Sequence, residues 1–243
     1  MKSLDFHKAL IFDTGPLISL TMNNLLWTLD PLKNSFKGEF IITPKVYKEV
    51  IEKPLRTRKF KFEALQVLKY IRRGVITVFD DLEITNLAEK LNDLANRCFI
   101  ARGHPITIVH FAEVQVVACA MLTGAQAIVI DERTMRKLIE APHELRKLLQ
   151  HKLRTKIKED KRCLREFKEL VGDIKVLRSL ELMSVAYDMG ILDQYMPKLP
   201  DIADANRELI ESVFWGLKLS GCAISERDLN KAVRVVLKHK RTG

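Results

Sequence analysis

Cysteine is scarce in this chain and poorly placed for chemistry. Cys98, Cys119, Cys163 and Cys222 are its four thiols in 243 residues, and none belongs to a CxxC pair or has a histidine at ligand spacing. That excludes a zinc-ribbon or finger pattern and a disulfide framework, so reduced, buried or incidental thiols are expected. Histidine is similarly sparse: His7, His104, His110, His143, His151 and His239 form no HExxH motif, and none is assigned to a site. Long hydrophobic runs are missing too. The longest near the N-terminus, Ala9 to Leu20, is interrupted by Asp13, Gly15 and Pro16 and lacks a small-residue cleavage signature. Neither a signal peptide nor a membrane span is expected, and a cytoplasmic location follows. Repeats and low-complexity segments are also absent.

What the chain does have is apolar material and positive charge. At 47% apolar it can build a core, as one large domain or as a domain of about 140 residues with an appendage. The formal charge of +10 is unevenly spread. Between Lys53 and Arg73 eight Lys or Arg face the single acid Glu63, and between Arg146 and Lys168 ten face Glu159, Asp160 and Glu166. Basic stretches of this density suit a polyanion such as nucleic acid, although solvated helix faces or contacts to an acidic partner produce the same pattern.

Alternating element types point to a parallel α/β core. Lys8 to Phe12, Glu39 to Thr43, the VITVF run from Val75 and Ala127 to Ile130 read as buried strands, separated by helical patterns. Pro16 and Pro44 open helices, and Gly74 and Gly124 end them. Helices are expected over Lys59 to Arg73, Thr85 to Arg102 and Val109 to Leu122, the last apolar nearly all round and hence buried. Such a chain predicts a doubly wound parallel sheet flanked by helices over residues 1–141. Beyond Pro142 the pattern reads as helix without strand, an all-helical C-terminal region over 142–243. Leu145, Leu149, Leu153, Ile157, Leu164 and Phe167 there place one apolar stripe on a long basic helix, and Val176 to Met189 forms another helix, with a loop at PKLP.

Four acids end or interrupt apolar stretches: Asp13, Glu49, Glu113 and Asp131. A carboxylate where patterning predicts burial needs a partner, a hydrogen bond or a cation. Asp13 and Asp131 each follow a strand, and ligands of open α/β sheets collect beyond the carboxyl ends of strands. Hard divalent ions prefer oxygen donors, so acids without His or Cys suit Mg²⁺ or Mn²⁺ and phosphoryl chemistry. Each acid also has a plain structural role open to it: Asp13 as a helix cap, Glu49 as a surface acid beside Lys45 or Lys48, Asp131-Glu132 as a cap with a first-turn acid. Glu113, set among Phe111, Ala112, Val114, Val116 and Val117, has the least room for one.

In order, ALIFDTGPLI, TPKVYKEV and AEVQVVACAMLTGAQAIVIDER resemble the PIN-domain family of metal-dependent nucleases over about residues 8–138. The resemblance implies an endoribonuclease that hydrolyses RNA phosphodiesters, often in single strands, with Mg²⁺ or Mn²⁺. Asp13, Glu49, Glu113 and Asp131 match the family's catalytic, metal-binding acids, with Asp13 and Asp131 holding the principal metal; Thr14 and Glu132 are auxiliary neighbours. SVAYDMGIL and FWGLKLSGCAISERDLNKAV resemble the C-terminal end of a prokaryotic branch of that family, relative to which residues 141–175 are inserted and Gln115 stands where a second acid is common. Toxins neutralised by an antitoxin and RNA-processing nucleases both occur in such a family; a catalytically inactive PIN-fold module that binds nucleic acid or protein is the alternative. The basic residues Arg56, Arg58, Lys59 and Lys61, and Lys152, Lys156, Arg162 and Arg165, are expected to track the RNA backbone. The stripe of Leu145, Leu149, Leu153 and Ile157 could instead form a homodimer seam. Phe60, Phe62, Trp27 and Trp215 could stack bases, while periodicity favours core packing for all of them.

Overall fold

The computed structural model describes residues 8–196 and 204–240; the loop expected at PKLP lies outside them. Among the described residues, eight strands and thirteen α-helices follow one another: β1 (Ala9–Phe12), α1 (Thr14–Met22), α2 (Leu29–Phe36), β2 (Glu39–Ile42), α3 (Pro44–Tyr47), α4 (Lys53–Leu55), α5 (Lys61–Arg72), β3 (Thr77–Val78), α6 (Leu82–Ala95), β4 (Phe99–Ala101), β5 (His104–Pro105), α7 (Phe111–Thr123), β6 (Ala127–Val129), α8 (Arg133–Glu140), α9 (Pro142–Leu153), β7 (Ile157–Glu159), α10 (Lys161–Val171), β8 (Lys175–Leu177), α11 (Ser179–Asp188), α12 (Ala205–Leu219) and α13 (Glu226–Lys240). A π-helical turn, Lys48–Glu52, joins α3 to α4.

Five strands form one parallel sheet in the order β3-β2-β1-β6-β8. Its middle strands are wholly apolar because helices cover them: all four residues of β1 and all three of β6 are buried, and α7 lies against both. Strand order reverses between β1 and β6, where Phe12 pairs with Val129. Ligands of open α/β sheets collect at such a switch point, beyond the carboxyl ends of the strands. Asp13 and Asp131 follow the two strands there, the Asp13 N–H bonding to the carbonyl of Val129 at 3.0 Å.

The expected α/β doubly wound sheet is thus present, with helices dominating the C-terminal part. Three local expectations need correction. The helix drawn from Thr85 to Arg102 starts earlier and stops at Ala95, and Phe99–Ala101 becomes β4, paired antiparallel with β5 and β7 in a second small sheet. The long basic helix is two helices split by β7, because Ile157 is drawn into that sheet while its neighbours Lys156 and Lys158 stay exposed. Val176 belongs not to a helix but to β8, which extends the main sheet beside β6. Residues beyond 142 therefore contribute to the sheet itself. The apolar stripe is spent within the chain: Leu145, Leu149, Ile157 and Phe167 are buried, and of the proposed seam only Leu153 is exposed. Among the described residues no helix is long and apolar enough to cross a membrane.

Candidate functional site

The segment Asp13-Thr14-Gly15 turns β1 into α1, and each residue has a separate task. Asp13 occupies the N-cap position of α1 in extended conformation and is 5% exposed. Thr14 donates its hydroxyl to Oε2 of Glu49 at 2.9 Å, tying the acid of the π turn to the end of β1. Gly15 leaves the space that Asp131 needs: a Cβ at position 15 would lie 3.3 Å from Cβ of Asp131 and 3.8 Å from Oδ2 of Asp13.

Glu49 is carried in on a short, irregular stretch. Thr43 caps α3 through the N–H of Val46, Pro44 fills its first turn, and the widened π turn follows with Glu49 partly exposed. Gln115, 4% exposed, accepts a hydrogen bond from the Lys45 N–H at 3.0 Å. A neutral acceptor on α7 thereby anchors the helix that presents Glu49, without adding a buried charge.

Glu113 stands in the first turn of α7, where its Oε2 accepts from the His110 N–H at 3.2 Å, half of a capping box. Burial is the main influence on both this acid and Asp13. It pushes Asp13 up to about 7, against the lowering effect of the Thr14 and Gly15 N–H groups, with the charges of Glu49 and Asp131 adding to the rise. It pushes Glu113 up to about 8, followed by the nearby Glu132; the His110 N–H opposes this, and Asp13 and Glu49 raise it further. Thr14 ties Glu49 to the end of β1, the charge of Glu49 acts on both Asp13 and Glu113, and that of Glu132 acts on Glu113. The charges acting most strongly on buried Asp13 and half-buried Glu113 are other acids.

Asp131 has a different environment. It is 1% exposed, and its carboxylate is surrounded by donors: the Ser19 hydroxyl at 3.0 Å, the Ser179 N–H at 2.8 Å, and the Ser179 hydroxyl at 2.9 and 2.8 Å from its two oxygens. Its carbonyl accepts from the N–H of Ala223 at 3.0 Å. Asn23, at the end of α1, reaches Ser220 at 2.9 Å beside this network. Asp131 thus adjoins Asp13 through its backbone and Cβ but turns its oxygens to serines of α1 and α11. Glu132 caps α8, accepting from the Met135 N–H at 2.9 Å. Among the described residues no three acidic, cysteine or histidine side chains converge closely enough to hold a metal ion as they stand. Ser19 and Ser179 carried no sequence signal, since serine fits caps and surfaces equally and both partners are remote in the chain.

The basic residues divide. Arg56, Arg58, Lys59 and Lys61 are exposed along the connection from α4 to α5, and these elements pack on the π turn that carries Glu49. Lys152, Lys156, Arg162 and Arg165 are exposed on α9, the turn after it, and α10, which packs on α6. The cysteines are free, and burial pushes the Cys98, Cys119 and Cys222 thiols up to about 12, consistent with inert packing.

A family model described as a PIN domain matches residues 9–143, which takes in every acid of the site and ends inside α9. No curated protein and no solved structure matches the chain.

Proposed function

The chain belongs to the PIN-domain family, whose fold is of nuclease type and whose members generally use divalent metals, and on that premise we propose that it is a metal-dependent endoribonuclease acting on single-stranded RNA in the cytoplasm. One observation carries the reading. Two carboxyls, buried Asp13 and half-buried Glu113, are held near neutral pKa with further acids beside them at the switch point of the sheet. Burying like charges together is unfavourable unless a cation completes the set.

The donor set fits Mg²⁺ or Mn²⁺, being hard carboxylate oxygens without His or Cys. Asp13, Glu49 and Glu113 would hold the cation, with Glu132 at the rim and Asp131 close behind Asp13. Bound there, it supplies Lewis-acid polarisation of the phosphodiester and a more acidic water for hydrolysis. The protein's own residues prepare this. Thr14 orients Glu49, and Gln115 fixes the helix bearing it. Asp131, saturated by serine donors, makes a rigid wall against which Asp13 is set.

Cleavage of a generic single-stranded RNA with Mn²⁺, wild type against Asp13→Asn, tests the assignment; equal rates refute it. The second reading, a PIN-fold module without catalysis, draws on the hydrogen bonds that already occupy Glu49, Glu113 and Asp131. Calorimetric titration with Mn²⁺ separates the two, since absence of binding at millimolar metal favours the inactive module. Of the two biological roles, the substantial part of the chain beyond the matched region favours RNA processing over a compact toxin. A small antitoxin gene beside this one would reverse that preference.

A further inference from the structure

Phe62 departs from what periodicity indicates. It lies in the first turn of α5 with its side chain 70% exposed, and Leu65, one turn on, is 50% exposed. A single exposed apolar residue is ordinary. What sets Phe62 apart is its company. Arg58, Lys59 and Lys61 around it are exposed, and Lys59 Nζ sits 4.7 Å from the centroid of the neighbouring Phe60 ring. Trp27 and Trp215, by contrast, are partly buried against the core.

The same corner leads into the acid site. α5 packs on the π turn and on α4, and beside them a cavity of about 320 Å³ is lined by Lys45, Lys48, Lys53 and Arg56 together with Glu49, Glu52 and Thr57. Among its walls is thus a carboxylate of the candidate site, which Thr14 holds in place, and four cationic side chains outnumber the two acids, Glu49 and Glu52. Arg56 is only loosely paired, 3.9 Å from Glu52.

A bare aromatic face among cations suits a ligand with flat π surfaces and a negative backbone. That is single-stranded nucleic acid, for which stacking on an aromatic side chain is tolerant of sequence and phosphates supply affinity. Pairing with a second copy through this face would bring like charges together across a two-fold axis, which disfavours it.

Building on the RNA-cleaving reading of the acid site, we propose that Phe62 is a base-stacking platform and that the cavity formed by Lys45, Lys48, Lys53 and Arg56 receives a backbone phosphate between that platform and Glu49. Single-stranded RNA then runs along the α4–α5 corner into the acid cluster. Phe62 supplies affinity independent of salt, and the lysines supply the part that salt removes.

The test is anisotropy of a short end-labelled oligoadenylate in EDTA, where binding is read without cleavage. Phe62→Ala should weaken binding at least about five-fold with an unchanged salt slope, and Phe62→Trp should restore it. Lys48→Ala combined with Lys53→Ala should flatten the slope of log affinity against log salt by about 1 to 2. Because these side chains are exposed, unchanged melting temperatures are expected throughout. If wild type binds and Phe62→Ala binds equally, the platform is refuted while the nuclease reading stands on its own cleavage assay. If Phe62→Ala leaves RNA affinity intact but converts a wild-type dimer to monomer in light scattering, the face is a self-association surface and the proposal fails. If wild type binds no RNA at low salt, the platform and the RNA reading both fall.

Discussion

Consider Asp13→Asn in protein stripped of metal. The substitution keeps the shape of the side chain and an acceptor for the Thr14 and Gly15 N–H groups while removing one charge from a buried cluster. Asp13 titrates at about 7 instead of 3.8, chiefly through burial. For an acid raised in the folded state, folded protein binds the proton more tightly than unfolded protein, so stability falls as pH climbs from the unfolded value and levels off above the folded one. At about 1.4 kcal/mol per unit, keeping Asp13 in place destabilises the fold by roughly 2 kcal/mol at pH 5 and roughly 4 kcal/mol at pH 8. The variant should therefore melt higher than wild type in EDTA. Its advantage should widen by about 2 kcal/mol between those pH values, or roughly 4–8 °C for a chain of this size. Glu113, raised to about 8 by burial, keeps some pH dependence in the variant, so the slope shrinks without vanishing. Adding Mn²⁺ at pH 8 should reverse the order, raising wild type and leaving the variant nearly unmoved. Thermal melts by circular dichroism over this pH range measure all of this. A variant less stable than wild type at pH 8 without metal would refute the account of the cluster as uncompensated charge.

The serine network should matter in the opposite sense. Ser179→Ala removes a hydroxyl that reaches both oxygens of Asp131, leaving the Ser179 N–H and Ser19 as donors. A loss of about 1–3 kcal/mol is expected from urea denaturation, and no loss would mean that water replaces the hydroxyl. Gln115→Glu keeps an acceptor for the Lys45 N–H but buries another charge. The urea midpoint should fall at pH 8 by about 1–3 kcal/mol equivalent and recover towards pH 5, and a pH-independent effect would contradict burial as the cause. Gly15→Ala places a methyl 3.3 Å from Asp131 Cβ and should cost roughly 1–2 kcal/mol in the same assay; a neutral result would show that α1 shifts freely.

The strands that support the site were legible because each is a run of apolar residues closed by a turn or helix signal. Ala9–Phe12 ends at Asp13 and Gly15, and Ala127–Val129 follows Gly124, which sits at the left-handed end of α7 with φ 60°. The strands that were not legible are short and bury at most one residue each, where a pattern needs several. β7 has a single buried residue, Ile157, between lysines, and β8 is the edge of the sheet with no fully buried residue. β4 follows Asn96-Arg97-Cys98, a turn without Gly or Pro that holds the next segment through Asn96, whose Oδ1 accepts from the Ile108 and Val109 N–H groups. The acids were legible for the same reason as the strands, as charges breaking apolar runs. Their hydrogen-bond partners were not, because Ser19 and Ser179 lie 112 and 48 positions from Asp131 and neither belongs to a pattern.

Those two serines also bear on why so much chain beyond residue 143 folds back onto the nuclease-type core. Asp131 follows β6 beside the strand that ends at Asp13, its charge adds to the rise of Asp13, and neighbouring buried carboxylates at a sheet edge repel unless one is stabilised in place. The core supplies Asp131 with one side-chain donor, Ser19; the N–H and hydroxyl of Ser179 come from the start of α11, and the Ala223 N–H that holds its carbonyl comes from the turn before α13. β8 brings α11 to that position by pairing with β6, the strand that delivers Asp131, so Ile130 bonds to the Leu177 carbonyl at 2.8 Å one residue before the acid. Sheet extension and acid stabilisation are thus one structural event. Hydrogen bonds from the C-terminal part thus occupy both oxygens of Asp131, whereas buried Asp13 and half-buried Glu113 have other acids as their strongest charged neighbours.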